Sequence, residues 1–185
     1  MSTAAPTTRT VPPAVLGMIL FIASEIMFFG GLFATYFSLR ADQTSWPPAG
    51  TQAPGILLPI AFTGCLVASS ITLHRAGGAA PERVRAWLAA TIGLGTIFIL
   101  GQAWEWRTLM AEGLNVSTDA YGTTFFTLTG AHGIHVIGGL GMLLATYTRL
   151  REGAHRPGML EAVAYYWHFV DVVWLVLFTA VYLTV

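Results

Sequence analysis

Lysine is absent from this sequence, and all nine of its basic residues are arginine. Charged residues make up 10% of the chain, far below the ~25% of an ordinary soluble domain. Nine acids balance the nine bases, so the basic footprint of a nucleic-acid-binding protein is missing. There is a single cysteine, Cys65, set in an apolar run. That excludes a disulfide framework and a cysteine-built metal centre. What the chain has instead is hydrophobic sequence, 55% of its residues, arranged in runs long enough to cross a bilayer. It reads as a polytopic membrane protein with no room for a soluble domain.

Five such runs are predicted, at about Val15–Leu39, Gly55–Leu73, Trp87–Trp106, Thr123–Tyr147 and Glu161–Val185. The expected fold is therefore all-α, a single bundle of five transmembrane helices over residues 15–185, preceded by a flexible polar tail over residues 1–14. The tail lacks the apolar stretch and small-residue cleavage site of a signal peptide. Trp46-Pro47-Pro48 breaks the chain between the first two runs, because proline lacks an N–H and disfavours helix in the residue before it. No internal repeat relates two halves, which argues against an inverted-repeat transporter. Arg9, Arg75, Arg83, Arg85, Arg149, Arg151 and Arg156 fall on one side of the predicted bundle, against Arg40 and Arg107 on the other. Positive-inside bias places the N-terminus in the cytoplasm and the C-terminus outside.

The ionisable residues inside the runs carry the functional question, since each costs at least ~2.5 kcal/mol at membrane depth and must face protein or water. Glu161, His168 and Asp171 lie on one stripe of the fifth run, at i, i+7 and i+10. His168 and Asp171 are i, i+3 neighbours that can pair or share a proton; a polar cluster locking the helix in place is the plainer role. Tyr165, Tyr166, Trp167 and Trp174 around them read as anchors of a large protein contact. Glu25, ten residues into the first run, is either a carboxyl kept neutral in the apolar interior or bonded to a Ser or His of a neighbouring helix, or else a proton-handling or partner-contacting group. Ser24 and Thr35 read as ordinary helix–helix hydrogen-bonding residues.

His132 and His135 share one broad face of the fourth run. Helical zinc pairs use i, i+4 with an intervening Glu, and di-iron bundles need Glu-x-x-His on two helices. Neither Glu105 nor Glu161 is followed by such a histidine. Axial ligation of a haem by His132 and His168, as in a membrane cytochrome, stays open on residue type alone. Hydrogen bonding across a packed bundle is the expected role. Gly93, Gly95 and Gly101 of the third run, and Gly130, Gly133, Gly138, Gly139 and Gly141 of the fourth, point to close helix packing.

At this point the residues resemble one family. Tyr166-Trp-His-Phe-Val-Asp-Val-Val-Trp174 is similar to the signature of subunit III of the haem–copper cytochrome c oxidases. Ser24-Glu-Ile-Met-Phe-Phe29, Trp46-Pro-Pro48, Gln102-x-x-Glu105 and Thr129-Gly-x-His-Gly-x-His-Val136 follow that family's order and spacing. The resemblance covers about Val15 to Val185. It is to the five-helix bacterial form, without the first two helices that flank a lipid-holding cleft in longer members. The first-span wording is similar to actinobacterial-type oxidases, some of which work within a supercomplex.

The resemblance implies a multi-pass protein of the bacterial inner membrane that binds no cofactor itself, the haem and copper residing in partner subunits. It implies packing on catalytic subunit I in a complex with subunit II, binding of membrane phospholipid, and support of proton uptake and turnover stability in an oxidase that pumps protons. No activity is expected of the chain alone. Glu25 matches the family's mid-membrane carboxyl. Glu25, His132, His135, His168 and Asp171 are the expected proton- or lipid-supporting residues or inter-helix polar cluster, with Glu105 and Glu161 as structural polar residues at helix ends. An equivalent subunit of a quinol oxidase, or an accessory protein of nitric oxide reductase, is the alternative.

Overall fold

The computed structural model describes residues 11–51, 53–152 and 158–184. All regular structure among them is helical: α1 (Pro13–Ala41), α2 (Leu57–Gly77), α3 (Pro81–Ala111), α4 (Ala120–Arg151) and α5 (Met159–Phe178), continued by a π-helical turn at Thr179–Leu183. All five helices are long and apolar enough to cross a membrane. Most of the expected tail, with Arg9, lies outside the described residues, as does Arg156; α1 already begins at Pro13, inside the span assigned to the tail.

Helices α1 to α4 are longer than the hydrophobic runs because their ends continue the same backbone ladder. Pro13 and Pro81 open α1 and α3 in the first turn, where the missing proline N–H costs no bond. The Asp119 side chain caps α4 by accepting from the Gly122 N–H at 2.7 Å. At ~1.5 Å per residue, the 31 residues of α3 outrun a hydrocarbon core of ~30 Å. The overhang is held by guanidinium–ring contacts, Arg75 over Trp87 and Arg85 over Tyr147, each at 5.4 Å.

The last helix is the central one. α5 packs against α1, α2 and α4, while α3 closes the far side against α2 and α4. Trp167, fully buried, shows how. A Cβ added at Gly95 of α3 would lie 2.7 Å from its ring, and one at Gly139 of α4 would lie 2.8 Å away. Its Nε1–H donates to Ser69 Oγ of α2 at 2.9 Å. One indole thus touches three neighbouring helices. Gly101 receives Phe62 and Gly130 receives Trp106 in the same manner. The expectation of close packing fails for Gly93, Gly133 and Gly141, where a Cβ would meet nothing within 4 Å. Gly138 has only the Tyr166 hydroxyl, at 3.6 Å. Gly93, Gly133 and Gly141 lie off the contact lines between helices.

The aromatic anchors of α5 also differ from expectation. Tyr166, Trp167 and Trp174 are buried inside this chain, and only Tyr165 faces outward. They hold the bundle together, not a partner. Ser24 and Thr35 bond back to Phe21 and Gly31 carbonyls of their own helix, not across to another.

Beyond Phe178 the ladder widens into the π-helical turn. The Ala180 carbonyl accepts from the Tyr36 hydroxyl of α1 at 2.7 Å, and the Val181 carbonyl from the Tyr121 hydroxyl of α4 at 3.2 Å. Trp46, from the proline-interrupted loop, packs edge-on against both tyrosine rings at 5.5 Å and donates its N–H to Tyr36 at 2.9 Å.

Candidate functional site

The ionisable residues within the spans sort into separate groups, each built across helices. Glu25 of α1 and His135 of α4 form the only acid–base side-chain pair at salt-bridge distance among the described residues, with His135 Nε2 2.8 Å from Glu25 Oε2. The other ring nitrogen, Nδ1, lies 2.7 Å from the Ala131 carbonyl. A carbonyl only accepts, so Nδ1 carries a hydrogen. Nε2 then bonds Glu25 in one of two ways: it accepts from a carboxylic acid, or it donates to a carboxylate as part of an imidazolium. Either way the pair holds one exchangeable proton and no net charge. Phe28 and Phe29 flank the imidazole at 5.9 and 4.9 Å, and the Tyr166 hydroxyl donates to the His135 carbonyl at 3.1 Å.

His132, one turn earlier, points elsewhere. It is buried, and neither ring nitrogen has a hydrogen-bond partner. The ring lies against Trp174 at 4.9 Å and edge-on to Phe98 at 5.8 Å. The expectation that it hydrogen-bonds across the bundle is corrected here. Three residues on a helix turn the side chain by ~300°, enough to send His135 towards α1 and His132 into an aromatic slot between α3 and α5.

Glu105 is not at a helix end. It sits six residues inside α3, buried, and its Oε2 accepts from Gln102 Nε2 at 2.9 Å and from the Tyr182 hydroxyl at 2.7 Å. Its other oxygen has no partner. The displacement follows from the true length of α3, which runs on to Ala111. Glu161 does lie near a helix end, exposed in the first turn of α5, where a negative charge suits the helix dipole.

His168 and Asp171 meet through a third residue. Ser70 Oγ of α2 lies 2.8 Å from His168 Nδ1 and donates to Asp171 Oδ2. The expected direct pairing gives way to a serine bridge, because both side chains turn towards α2. Asp171 is buried, and its Oδ1 has no partner. A cavity of about 420 Å³ between the end of α2 and the start of α5 is lined by His74, Glu161 and His168 with Leu73, Gly77, Gly158, Leu160 and Ala164.

The residues that reading the sequence missed are mostly hydroxyls. Ser69, Ser70 and Thr63 of α2 receive or bridge Trp167, the His168–Asp171 couple and Trp174 in turn. Tyr182, Tyr36 and Tyr121 were equally unmarked. A serine pair inside an apolar span is the one local signal that would have drawn attention to α2. Among the described residues no group of three or more His, Cys, Asp or Glu side chains converges as a metal site would require.

The family model for cytochrome c oxidase subunit III matches residues 6–184. A probable cytochrome c oxidase subunit 3 of Mycobacterium tuberculosis is 42% identical over 176 residues, covering 90% of this chain and 86% of that protein. The corresponding Nocardia farcinica protein is 41% identical over 175 residues, with the same coverage. A cytochrome c oxidase subunit 3 of Thermostichus vulcanus is 36% identical over 177 residues, covering 91% of this chain and 86% of that protein.

Proposed function

The chain belongs to the cytochrome c oxidase subunit III family, and from that premise we propose that it is the metal-free accessory subunit of a bacterial haem–copper oxidase. It packs on the catalytic subunit, binds phospholipid and supports proton uptake and endurance during turnover. Haem and copper reside in the partner subunits, and the chain alone is inactive. Its N-terminus lies in the cytoplasm and its home is the inner membrane. A supercomplex is its further setting.

The observation that carries the proton-supporting role is the Glu25–His135 pair. Two titratable groups that hold one proton between them, at the middle of a span, can take up or release a proton by changing partner, with a small change in geometry. The remaining intramembrane acids are tied to Tyr182, Gln102 or Ser70.

Two experiments test this reading. Gentle affinity purification of the chain from its native membranes should recover a haem- and copper-bearing subunit that consumes oxygen from cytochrome c. Oxygen consumption from quinol alone would place the chain in a quinol oxidase, and a Soret band that stays with the isolated polypeptide would overturn the accessory role. In the purified complex, Glu25→Gln should leave assembly intact and shorten the time for which activity is sustained. Unchanged endurance at every pH tested would leave Glu25 a packing residue.

A further inference from the structure

Three observations converge on the fifth helix. A buried carboxyl, Asp171, has one oxygen without a partner among the described residues. A serine and a histidine connect its other oxygen to a cavity, through Ser70 Oγ and His168 Nδ1. The exposed side chains of His74 and Glu161 line the same cavity. We propose that the cavity between α2 and α5 is a proton vestibule, and that Asp171 is the site it loads through His168 and Ser70. The ligand is a proton delivered by water, and the relay ends inside the bundle.

The hydrogen-bond directions decide whether the relay can work. Ser70 has one hydroxyl hydrogen, which it gives to Asp171 Oδ2, so it accepts from His168 Nδ1–H. A neutral imidazole with its hydrogen on Nδ1 has a bare lone pair on Nε2, and His168 lines the cavity. A proton arriving from cavity water binds Nε2. The Nδ1 hydrogen passes to Ser70 Oγ, and the serine hydrogen passes to Asp171 Oδ2. One proton enters, one carboxylate becomes a carboxylic acid, and no electrons move. Rotation of the serine hydroxyl and a change of histidine tautomer reset the chain.

Among the described residues the titratable groups around this relay are few. α2 contributes His74, and α5 contributes Glu161 and His168. On the α1 and α4 side of α5 the ionisable groups are Glu25 and His135, engaged with each other. The Asp171 relay is therefore a second proton site, distinct from the Glu25–His135 pair. It deepens the proton-supporting role proposed above, and it can be read in resting protein, so its failure and the failure of that role are distinguishable.

The test is infrared difference spectroscopy on the purified complex, following carboxylic-acid C=O stretches after transfer from H2O to D2O. A band lost in Asp171→Asn identifies the site. Its deuterium shift should be prompt in the wild type, roughly a hundredfold slower in Ser70→Ala, and restored in Ser70→Thr, which keeps the hydroxyl. His168→Phe should slow it likewise. Equal exchange rates in Ser70→Ala and the wild type would overturn the relay. So would a spectrum in which Asp171→Asn removes no protonated-carboxyl band at any pH. Should Asp171→Asn fail to assemble, the contrast between Ser70→Ala and Ser70→Thr on the slow carboxyl band decides alone.

Discussion

Trp167 occupies the space that Gly139 leaves: a Cβ on that glycine would stand 2.8 Å from the indole ring. The indole is fully buried and bonded to Ser69, so it has no free direction in which to yield. Gly139→Ala should therefore destabilise the bundle by about 1–3 kcal/mol, the usual range for overpacking, and Gly139→Leu should block assembly. Gly141→Ala, where a Cβ meets nothing, serves as the control and should be neutral. Thermal unfolding of the purified subunit in detergent checks all three.

His132 and His135 should respond oppositely to the same substitution. His132→Leu removes two nitrogens that have no partner, and replacing such a group by an apolar one of similar shape is close to neutral or stabilising. Its thermal midpoint should hold or rise. His135→Leu leaves the Glu25 carboxyl without its partner and should cost about 1–3 kcal/mol. Equal losses in the two variants would show that His132 has a polar role.

Tyr182→Phe strips one of the two donors from Glu105 Oε2. The predicted loss is about 1–3 kcal/mol, the penalty for leaving a buried acceptor short of a donor. Tyr182→Phe combined with Glu105→Leu and Gln102→Leu should recover part of that loss, because all three members of the buried contact are then apolar. A mutant cycle on thermal midpoints measures the coupling.

Reporter fusions test the orientation. Enzymes active only in the cytoplasm should work when fused in the loop at Gly78–Ala80, and exported reporters when fused near Asn115, as the arginine bias requires. The reverse pattern would overturn the proposed placement of the N-terminus.

The five helices were legible in the sequence because hydropathy over about 20 residues is an unambiguous signal. Their ends were not, since Pro81–Ala86, Arg107–Ala111 and Thr148–Arg151 lie outside the hydrophobic runs and yet are helical. That error moved Glu105 to a helix end when it belongs to the buried interior. The stripe of Glu161, His168 and Asp171 was readable from 3.6-residue periodicity, and it does face a neighbouring helix. Which helix it faces, and that Ser70 intervenes, depends on how α2 docks on α5, and no local pattern encodes that. The aromatic residues of α5 misled for the same reason. Tyr166, Trp167 and Trp174 look like partner anchors until the glycines of α3 and α4 are brought against them.

The central position of α5 has a consequence for biogenesis. A ribosome delivers α1 to α4 to the membrane before α5, against which α1, α2 and α4 pack, exists. Ser70 of α2, Gly95 of α3, Gly139 of α4 and the hydroxyl of Tyr121 find their partners only when α5 and its π-helical turn arrive. Completion of the bundle thus reports that synthesis has run through the fifth helix. A product interrupted earlier presents Ser70 and the grooves at Gly95 and Gly139 to lipid.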